Sequence, residues 1–394
     1  MKIAIFSDNF YPELSGITDS VTLLGKALEE RGHKIMFVAP RYSKKDYEKA
    51  NLPRELLFVS DTEIFVKRLF SVAMPNSPTG QSRIVIPFGK SIFDMMKFKP
   101  DVIYTNSPFG TGIEALISSK ILKIPLVGTN HTPIGEFMMY SPFYSKSITN
   151  LALRYFSWYY NRCKIITAPC QSLIEEMKSF GFKKNALRVP NPIDLGRFTK
   201  SNSEEQAELK KKIGLSGKIV LYTGRLAPEK KVDVIIKAIA IAIKKIPDVR
   251  LVITGHGSAL PDLKKIASEL NISDKIIFSG FVDEANFPLY YKASDLFVIM
   301  SKAESQSLSL MQAMASGLPV IGANARALPE YISEETGLLV EPDNETKLAE
   351  AIITILEDKN LSEKMSENGP KEVKKFAPLQ IAKIWEDIYN GALK

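Results

Sequence analysis

The sequence predicts an α/β fold built from two doubly wound parallel-sheet domains, and three observations lead there. The chain is 394 residues long, roughly two to three times the usual domain length. Short apolar runs rich in β-branched residues alternate with longer amphipathic stretches, as strands alternate with crossover helices in a parallel sheet. That alternation occurs twice, on either side of Val189-Pro190-Asn191-Pro192-Ile193-Asp194, where two prolines interrupt regular structure.

In the first half, strands are expected at Lys2–Phe6, Lys34–Ala39, Asp101–Thr105, Pro125–Thr129, Lys164–Ala168 and Ala186–Val189. Between the first two, Val21, Leu24 and Leu28 form a helical stripe, and Arg31-Gly32 supplies a glycine C-cap. The second half repeats the pattern with Lys218–Tyr222, Val249–Thr254, Lys275–Phe278, Leu296–Met300, Pro319–Gly322 and Gly337–Val340. The boundaries follow: residues 1–194 and 195–375 are Rossmann-like domains, and 376–394 is a helix expected to pack back on the first. Its apolar positions are Ile381, Ile384, Trp385 and Ile388. Ligands of such sheets bind beyond the carboxyl ends of the strands, so two domains facing one another are expected to enclose an interdomain cleft.

Composition excludes several classes. With 45% hydrophobic and 24% charged residues, the chain is neither disordered, collagenous nor coiled coil. The net charge of +8 is unevenly placed, because residues 1–194 hold 25 Lys and Arg against 17 Asp and Glu, whereas 195–394 hold 27 of each kind. A basic first half fits a membrane surface, nucleic acid, a phosphorylated substrate or simply a solvated face. Cys163 and Cys170 match neither a redox nor a zinc spacing and are expected to be reduced and structural. The start MKIAIFSDNF reads directly as a strand rather than a signal peptide, and no apolar run reaches ~18 residues. The expectation is a cytoplasmic protein that touches a membrane without spanning it.

Three segments carry chemistry. After the first strand, SDNFYPELSG lacks the GxGxxG of dinucleotide folds, yet Gly16 precedes a helix. It serves either as a plain turn or as a close approach for an anion at the helix N-terminus. In LYTGRLAPEKKVD, Arg225 follows a strand, and Lys230 and Lys231 begin the next helix. Cations there oppose the helix dipole, so either a bound diphosphate shares them or the loop is a solvated basic one. In SKAESQSLSLMQAMASGLPVIG, Glu304, Ser305, Gln306 and Ser307 lead into a helix whose stripe is Leu308, Met311 and Ala315. Free amides there suit phosphate oxygens, Glu304 suits sugar hydroxyls, and Gln312, two turns in, is placed to reach a ribose.

TGRLAPEKKVD, GHGSALPDLKK, ESQSLSLMQAMASGLPVIG and GLLVEPDN, in this order, resemble the retaining glycosyltransferases of family 4 with the GT-B fold. The likeness extends through FSDNFYPELSG, PDVIYTNSP, VGTNHTP and VPNPIDLGRF, and so covers nearly the whole chain. It implies a nucleotide-sugar donor on the C-terminal domain and an acceptor on the N-terminal one. Arg225 and Lys230 match the pair that binds the donor diphosphate, and Glu304 matches the first Glu of the Glu-x7-Glu motif that contacts the sugar. The positions of Ser305, Gln306, Ser307 and Leu308 match backbone contacts to diphosphate and hexose. His131 matches the histidine beside the donor sugar, Gly16 the loop against the diphosphate, and Val282 the contact to the base. Two positions depart from the pattern: Gln312 replaces the second Glu, and Ser15-Gly16 replaces a Gly pair. The catalytic set implied is His131, Arg225, Lys230 and Glu304, with no metal and no cofactor.

Two basic, aromatic stretches bear on the acceptor. Residues 136–164 place Phe137, Tyr140, Phe143, Tyr144, Tyr155, Phe156, Trp158, Tyr159 and Tyr160 among Lys146, Arg154, Arg162 and Lys164. RIVIPFGKSIFDMMKFK does likewise with Ile84, Ile86, Phe88, Ile92, Phe93, Met95 and Met96 beside Arg83, Lys90, Lys97 and Lys99. Such stretches form an interfacial surface, or else Leu151, Leu153 and half the rings are core. Asp8, Tyr11, Lys90, Lys97, Lys146, Arg154 and Trp158 are the candidate acceptor- or membrane-facing residues. MQAMASGLPVIGANARALPEYI also resembles bacterial diacylglycerol glycosyltransferases. The expected activity is transfer of glucose from UDP-glucose to a membrane lipid, at an anionic membrane surface and with no nucleic acid partner. The alternatives are a GDP-mannose-dependent or other hexosyltransferase with a soluble or polysaccharide acceptor, and a hydrolysing sugar-nucleotide epimerase of the same fold.

Overall fold

The computed structural model describes residues 1–13, 15–50, 65–74, 81–133, 145–283 and 285–394. They divide into two compact units, Met1–Pro192 with Phe376–Lys394, and Ile193–Lys375.

The first unit contains β1 (Lys2–Phe6), β2 (Lys34–Pro40), β3 (Phe65–Leu69), β4 (Ser71–Ala73), β5 (Arg83–Val85), β6 (Val102–Thr105), β7 (Leu126–Thr129), β8 (Ile165–Ala168) and β9 (Ala186–Arg188). Among the described residues, seven of these form one parallel sheet in the order β3-β2-β1-β6-β7-β8-β9. Its central strands are apolar on both faces: Ile3, Ala4, Ile5 and Phe6 are all fully buried, as a strand covered by helices on each side requires. The sequence reading did not include β3, nor the antiparallel pair β4 and β5. FVKRL places two charges in five residues, and a three-residue strand is too short to show a period.

The second unit contains β10 (Lys218–Thr223), β11 (Val249–Thr254), β12 (Ile276–Gly280), β13 (Leu296–Ile299), β14 (Val320–Ala323) and β15 (Gly337–Val340). They form a parallel sheet in the order β12-β11-β10-β13-β14-β15. In each unit the winding reverses once, between β1 and β6 and between β10 and β13. At such a reversal the loops leaving two adjacent strands turn in opposite directions and leave a crevice at the carboxyl ends.

The helix Pro378–Leu393 belongs to the first unit. It packs on the helix Gly16–Glu30 and on β6 and β7 through Ile381, Ala382, Trp385, Ile388, Tyr389 and Ala392. The Trp385 ring lies 4.5 Å from that of Tyr104. Ile384, read as part of the apolar stripe, is instead 41% exposed. At the edge, Arg31 donates a fork to Glu386 at 2.8 and 2.6 Å, with His33 Nε2 2.7 Å from the same carboxylate. The Arg31 hydrogen bond holds the Glu386 carboxyl down at about 2. Among the described residues no helix is long and apolar enough to cross a membrane.

Candidate active site

The loops leaving β10 and β13 meet at the reversal of the second sheet. Lys230 Nζ donates to Glu304 Oε1 at 2.6 Å, which ties the two loops together. Burial works to raise the Glu304 carboxyl, but Lys230, with Ser301 and Arg225, outweighs it and holds it below the ordinary carboxylate range. Arg225 donates to Glu229 at 2.7 Å, and the Tyr222 phenol donates to the Arg225 carbonyl at 3.0 Å. Lys230 closes a short 3₁₀ turn, and Lys231 sits in the left-handed region with φ of 54° at the start of the helix Val232–Ala242. Lys231 pairs with Asp343 at 2.9 Å, and Lys302 bonds the same carboxylate. The sequence offered a bound diphosphate or a solvated basic loop for these cations; each in fact has a protein carboxylate beside it, Glu304 for Lys230 and Asp343 for Lys231. Glu229 lies only four residues past Arg225 but was not read as its partner, and nothing in the spacing announces Asp343, more than a hundred residues from Lys231.

Ser307 caps the helix Leu308–Ala315, its side chain accepting the Leu310 N–H at 3.2 Å. The buried face comprises Leu310, Met311, Ala313, Met314 and Ala315, whereas Leu308, assigned to the core stripe, is only half-buried. Gln306 is buried and Ser305 half-buried. Gln312 Oε1 accepts from the Tyr291 phenol at 3.0 Å, and Tyr291 bonds Thr223 at 2.6 Å. The Gln312 oxygen is thus engaged by Tyr291, which the sequence reading did not anticipate. Val282 follows β12 and is half-buried. Gly255 and Gly257 let the loop after β11 lie directly on the loop after β10: a Cβ on either would stand 2.1 Å from Gly224 O or 2.0 Å from Leu226 O.

In the first unit, Asp8, Asn106 and His131 follow β1, β6 and β7, three adjacent strands. Asp8 accepts from Ser107 Oγ at 2.5 Å and from the Thr111 N–H at 3.0 Å, so it holds the start of the helix Gly110–Leu122. Burial raises this carboxyl despite those hydrogen bonds. Tyr11 donates to Asp19 at 2.8 Å. Both side chains therefore bond within the first unit, and neither is a free surface group. Gly16 opens the helix Gly16–Glu30, is exposed, and follows Ser15, whose hydroxyl accepts the Thr18 N–H at 3.2 Å.

His131 is 6% exposed, and its Nε2 lies 2.8 Å from Asn106 Oδ1. Burial pushes the imidazole down to about 4, so it is neutral at physiological pH. Unfolded, the same ring takes a proton near pH 6.5. Between those values the unfolded chain binds the extra proton, so stability falls as pH falls. This one group is expected to cost the first unit about 2 kcal/mol at pH 5. Urea midpoints at pH 7 and pH 5 check it, and His131→Gln is expected to remove most of that difference.

Lys90, Lys97, Lys146, Arg154 and Trp158 are exposed. On the helix Lys146–Tyr160, Leu153, Phe156, Tyr159 and Tyr160 are core, but Leu151, grouped with the core alternative, is 68% exposed. Arg162 lies over the Trp158 ring at 3.7 Å from its centroid. Phe137, Tyr140, Phe143 and Tyr144 lie outside the described residues.

Two family models match the chain. Residues 14–197 match "Glycosyltransferase Family 4", and residues 204–372 match "Glycosyl transferases group 1". The chain belongs to glycosyltransferase family 4. This glycosyltransferase is 27% identical over 398 residues to the alpha-monoglucosyldiacylglycerol synthase of Streptococcus pneumoniae, covering 95% of this chain and 85% of that protein. It is also 27% identical to the alpha-monoglucosyldiacylglycerol synthase of Acholeplasma laidlawii, with 99% and 96% covered. Its fold is that of the Anabaena HepE protein crystallised in complex with UDP, at a TM-score of 0.77 and 21% identity over 99% of this chain and all of that one. The architecture is GT-B, two parallel-sheet α/β domains.

Proposed function

We propose that this glycosyltransferase moves a hexose, glucose from UDP-glucose, to a membrane lipid such as diacylglycerol, with retention of anomeric configuration, at the cytoplasmic membrane surface. Breaking the sugar–phosphate bond leaves negative charge on the diphosphate and positive charge on the ring. Arg225 and Lys230 are assigned the diphosphate, where preorganised cations lower the barrier. Glu304 is assigned the sugar hydroxyls, and the amides at Ser305, Gln306, Ser307 and Leu308 the phosphate and hexose oxygens. Val282 and Gln312 are assigned the nucleoside, Gly16 the diphosphate from the first unit, and His131 the donor sugar. The departing diphosphate oxygen takes the proton of the attacking alcohol on the same face of the ring. Charge stabilisation comes from these side chains, so the reading needs no metal.

The observation that carries the lipid acceptor is an apolar face on the basic unit. In the β4–β5 hairpin Val72 stands opposite Ile84. Alternation brings Phe70, Met74 and Ile86 to the same side, and all five are 38–51% exposed. Phe88, Phe93 and Met96, with Lys90 and Lys97, continue the exposed apolar and basic surface in the next segment. A cluster of this kind marks an interaction surface, and with lysines beside it suits an anionic leaflet, each Lys or Arg contributing about 1 kcal/mol. The names of the two diacylglycerol-glucosylating relatives support the same reading.

Sedimentation with phosphatidylglycerol vesicles at low salt tests it. Binding is expected, and Val72→Ser/Ile84→Ser is expected to weaken it by roughly one to two orders of magnitude, the worth of two apolar side chains. Hydrolysis of UDP-glucose in the absence of lipid is expected to be unchanged in that variant. No binding of the wild type would remove the lipid acceptor.

A further inference from the structure

We propose that Asn106 is a positioning residue: it holds His131 in the Nε2–H tautomer and leaves Nδ1 as a hydrogen-bond acceptor for a hydroxyl of the bound sugar. The inference rests on the proposed assignment of His131 to the donor sugar, and extends it to Asn106, to which the resemblance gives no role.

Asn106 leaves β6 at the reversal of the first sheet, where its N–H bonds Phe6 O at 3.0 Å. His131 leaves the neighbouring β7 one residue after Asn130, whose N–H bonds Thr167 O at 3.0 Å. Both loop backbones are therefore pinned to adjacent strands beside the two side chains. Asn106 and His131 are 5% and 6% exposed, and they share one hydrogen bond of 2.8 Å. A neutral imidazole carries one N–H, so when Nε2–H donates to Asn106 Oδ1 the other nitrogen is a bare acceptor.

Neither Nδ1 of His131 nor Nδ2 of Asn106 has a hydrogen-bond partner among the described residues. An unmade hydrogen bond on a buried polar atom is costly, and two on one bonded pair need a reason. One of the two atoms accepts and the other donates. A hydroxyl-bearing ligand matches that pair, because a hydroxyl does both, whereas a phosphate oxygen only accepts. The pair thus matches a sugar hydroxyl better than a phosphate oxygen.

The test uses the full-length protein with ¹⁵N-labelled imidazoles. There are three histidines, His33, His131 and His256, so His131→Gln assigns the signal by difference. At pH 7 the wild type is expected to show the Nε2–H tautomer at His131, with UDP-glucose shifting Nδ1. Asn106→Leu is expected to give a tautomer mixture and a kcat lower by about 10- to 100-fold, the loss typical when the partner orienting a metal-bound histidine is removed and taken here as the scale, with KM little changed. Asn106→Asp, which keeps the accepting oxygen but loses the Nδ2 donor, is expected to restore the tautomer and part of kcat. If Leu does not fold, Asn106→Ala takes its place. An Nδ1–H tautomer in the wild type overturns the proposal, and so does an unchanged spectrum and kcat in Asn106→Leu. Turnover of UDP-glucose with no response at Nδ1 overturns the sugar contact. If no sugar nucleotide is turned over, the function proposed above fails, while the tautomers still decide the role of Asn106.

Discussion

Lys230→Ala is expected to lower kcat/KM for hexose transfer by roughly 10²- to 10³-fold, the loss typical of deleting one preorganised donor at a developing negative charge. A second effect follows from the pairing. Lys230 and Glu304 have side chains only 19% and 11% exposed and lie 2.6 Å apart, so removing the lysine strands a carboxylate that burial already works to raise. Breaking a fully buried pair costs ~3–5 kcal/mol and an exposed pair at most ~1, which places this one at about 2 kcal/mol. Lost activity alone could therefore reflect a loosened second unit. Lys230→Met/Glu304→Gln separates the causes, because it removes both charges and their mutual demand. Its urea midpoint is expected to return close to the wild-type value while transfer stays abolished. Recovery of turnover in that variant would remove Lys230 from the chemistry. Arg225→Ala should behave like Lys230→Ala in kinetics, and it also removes the 2.7 Å ion pair to the buried Glu229 side chain.

Trp385→Ala is expected to have the largest effect on stability. The indole is 3% exposed and sits between Tyr104, at 4.5 Å, and Tyr389, at 5.4 Å, where the last helix crosses β6 and β7. Truncating a buried Trp costs ~3–5 kcal/mol through lost transfer energy and the remaining cavity. For a unit of this size that is a fall in melting temperature of roughly 10 °C. The loss should appear in the first unit alone, since the helix belongs to it. A calorimetric scan checks this: the transition of the first unit moves down and that of the second stays. An unshifted scan would mean the helix contributes little to the first unit.

How much of this was legible before the structure depends on the kind of signal. Strands such as IAIFS and LVITG are continuous apolar runs closed by small residues, and a doubly wound order follows from their alternation with helices. FVKRL escaped because its two charges hide the run, and the β4–β5 hairpin because three-residue strands have no period. In the second unit the local motif residues Arg225, Lys230 and Glu304 could be read, since each lies just past a strand end. Glu229, four residues past Arg225, sits in the same motif without a period to mark the pair, whereas Asp343 beside Lys231 and Tyr291 beside Gln312 come from distant elements that only the fold brings together. Asn106 illustrates the limit. In VIYTNSP it looks like a turn residue, and only the adjacency of β6 and β7 brings it to His131.

The most direct test of the central claim is an assay of the purified full-length protein with UDP-glucose and vesicles of phosphatidylglycerol and diacylglycerol, with EDTA present, read by NMR of the lipid product. The account predicts an α-linked glucosyl lipid and UDP in equal amounts, both lost in the Lys230→Met/Glu304→Gln variant. UDP-glucose left intact, or a β-linked product, would contradict it.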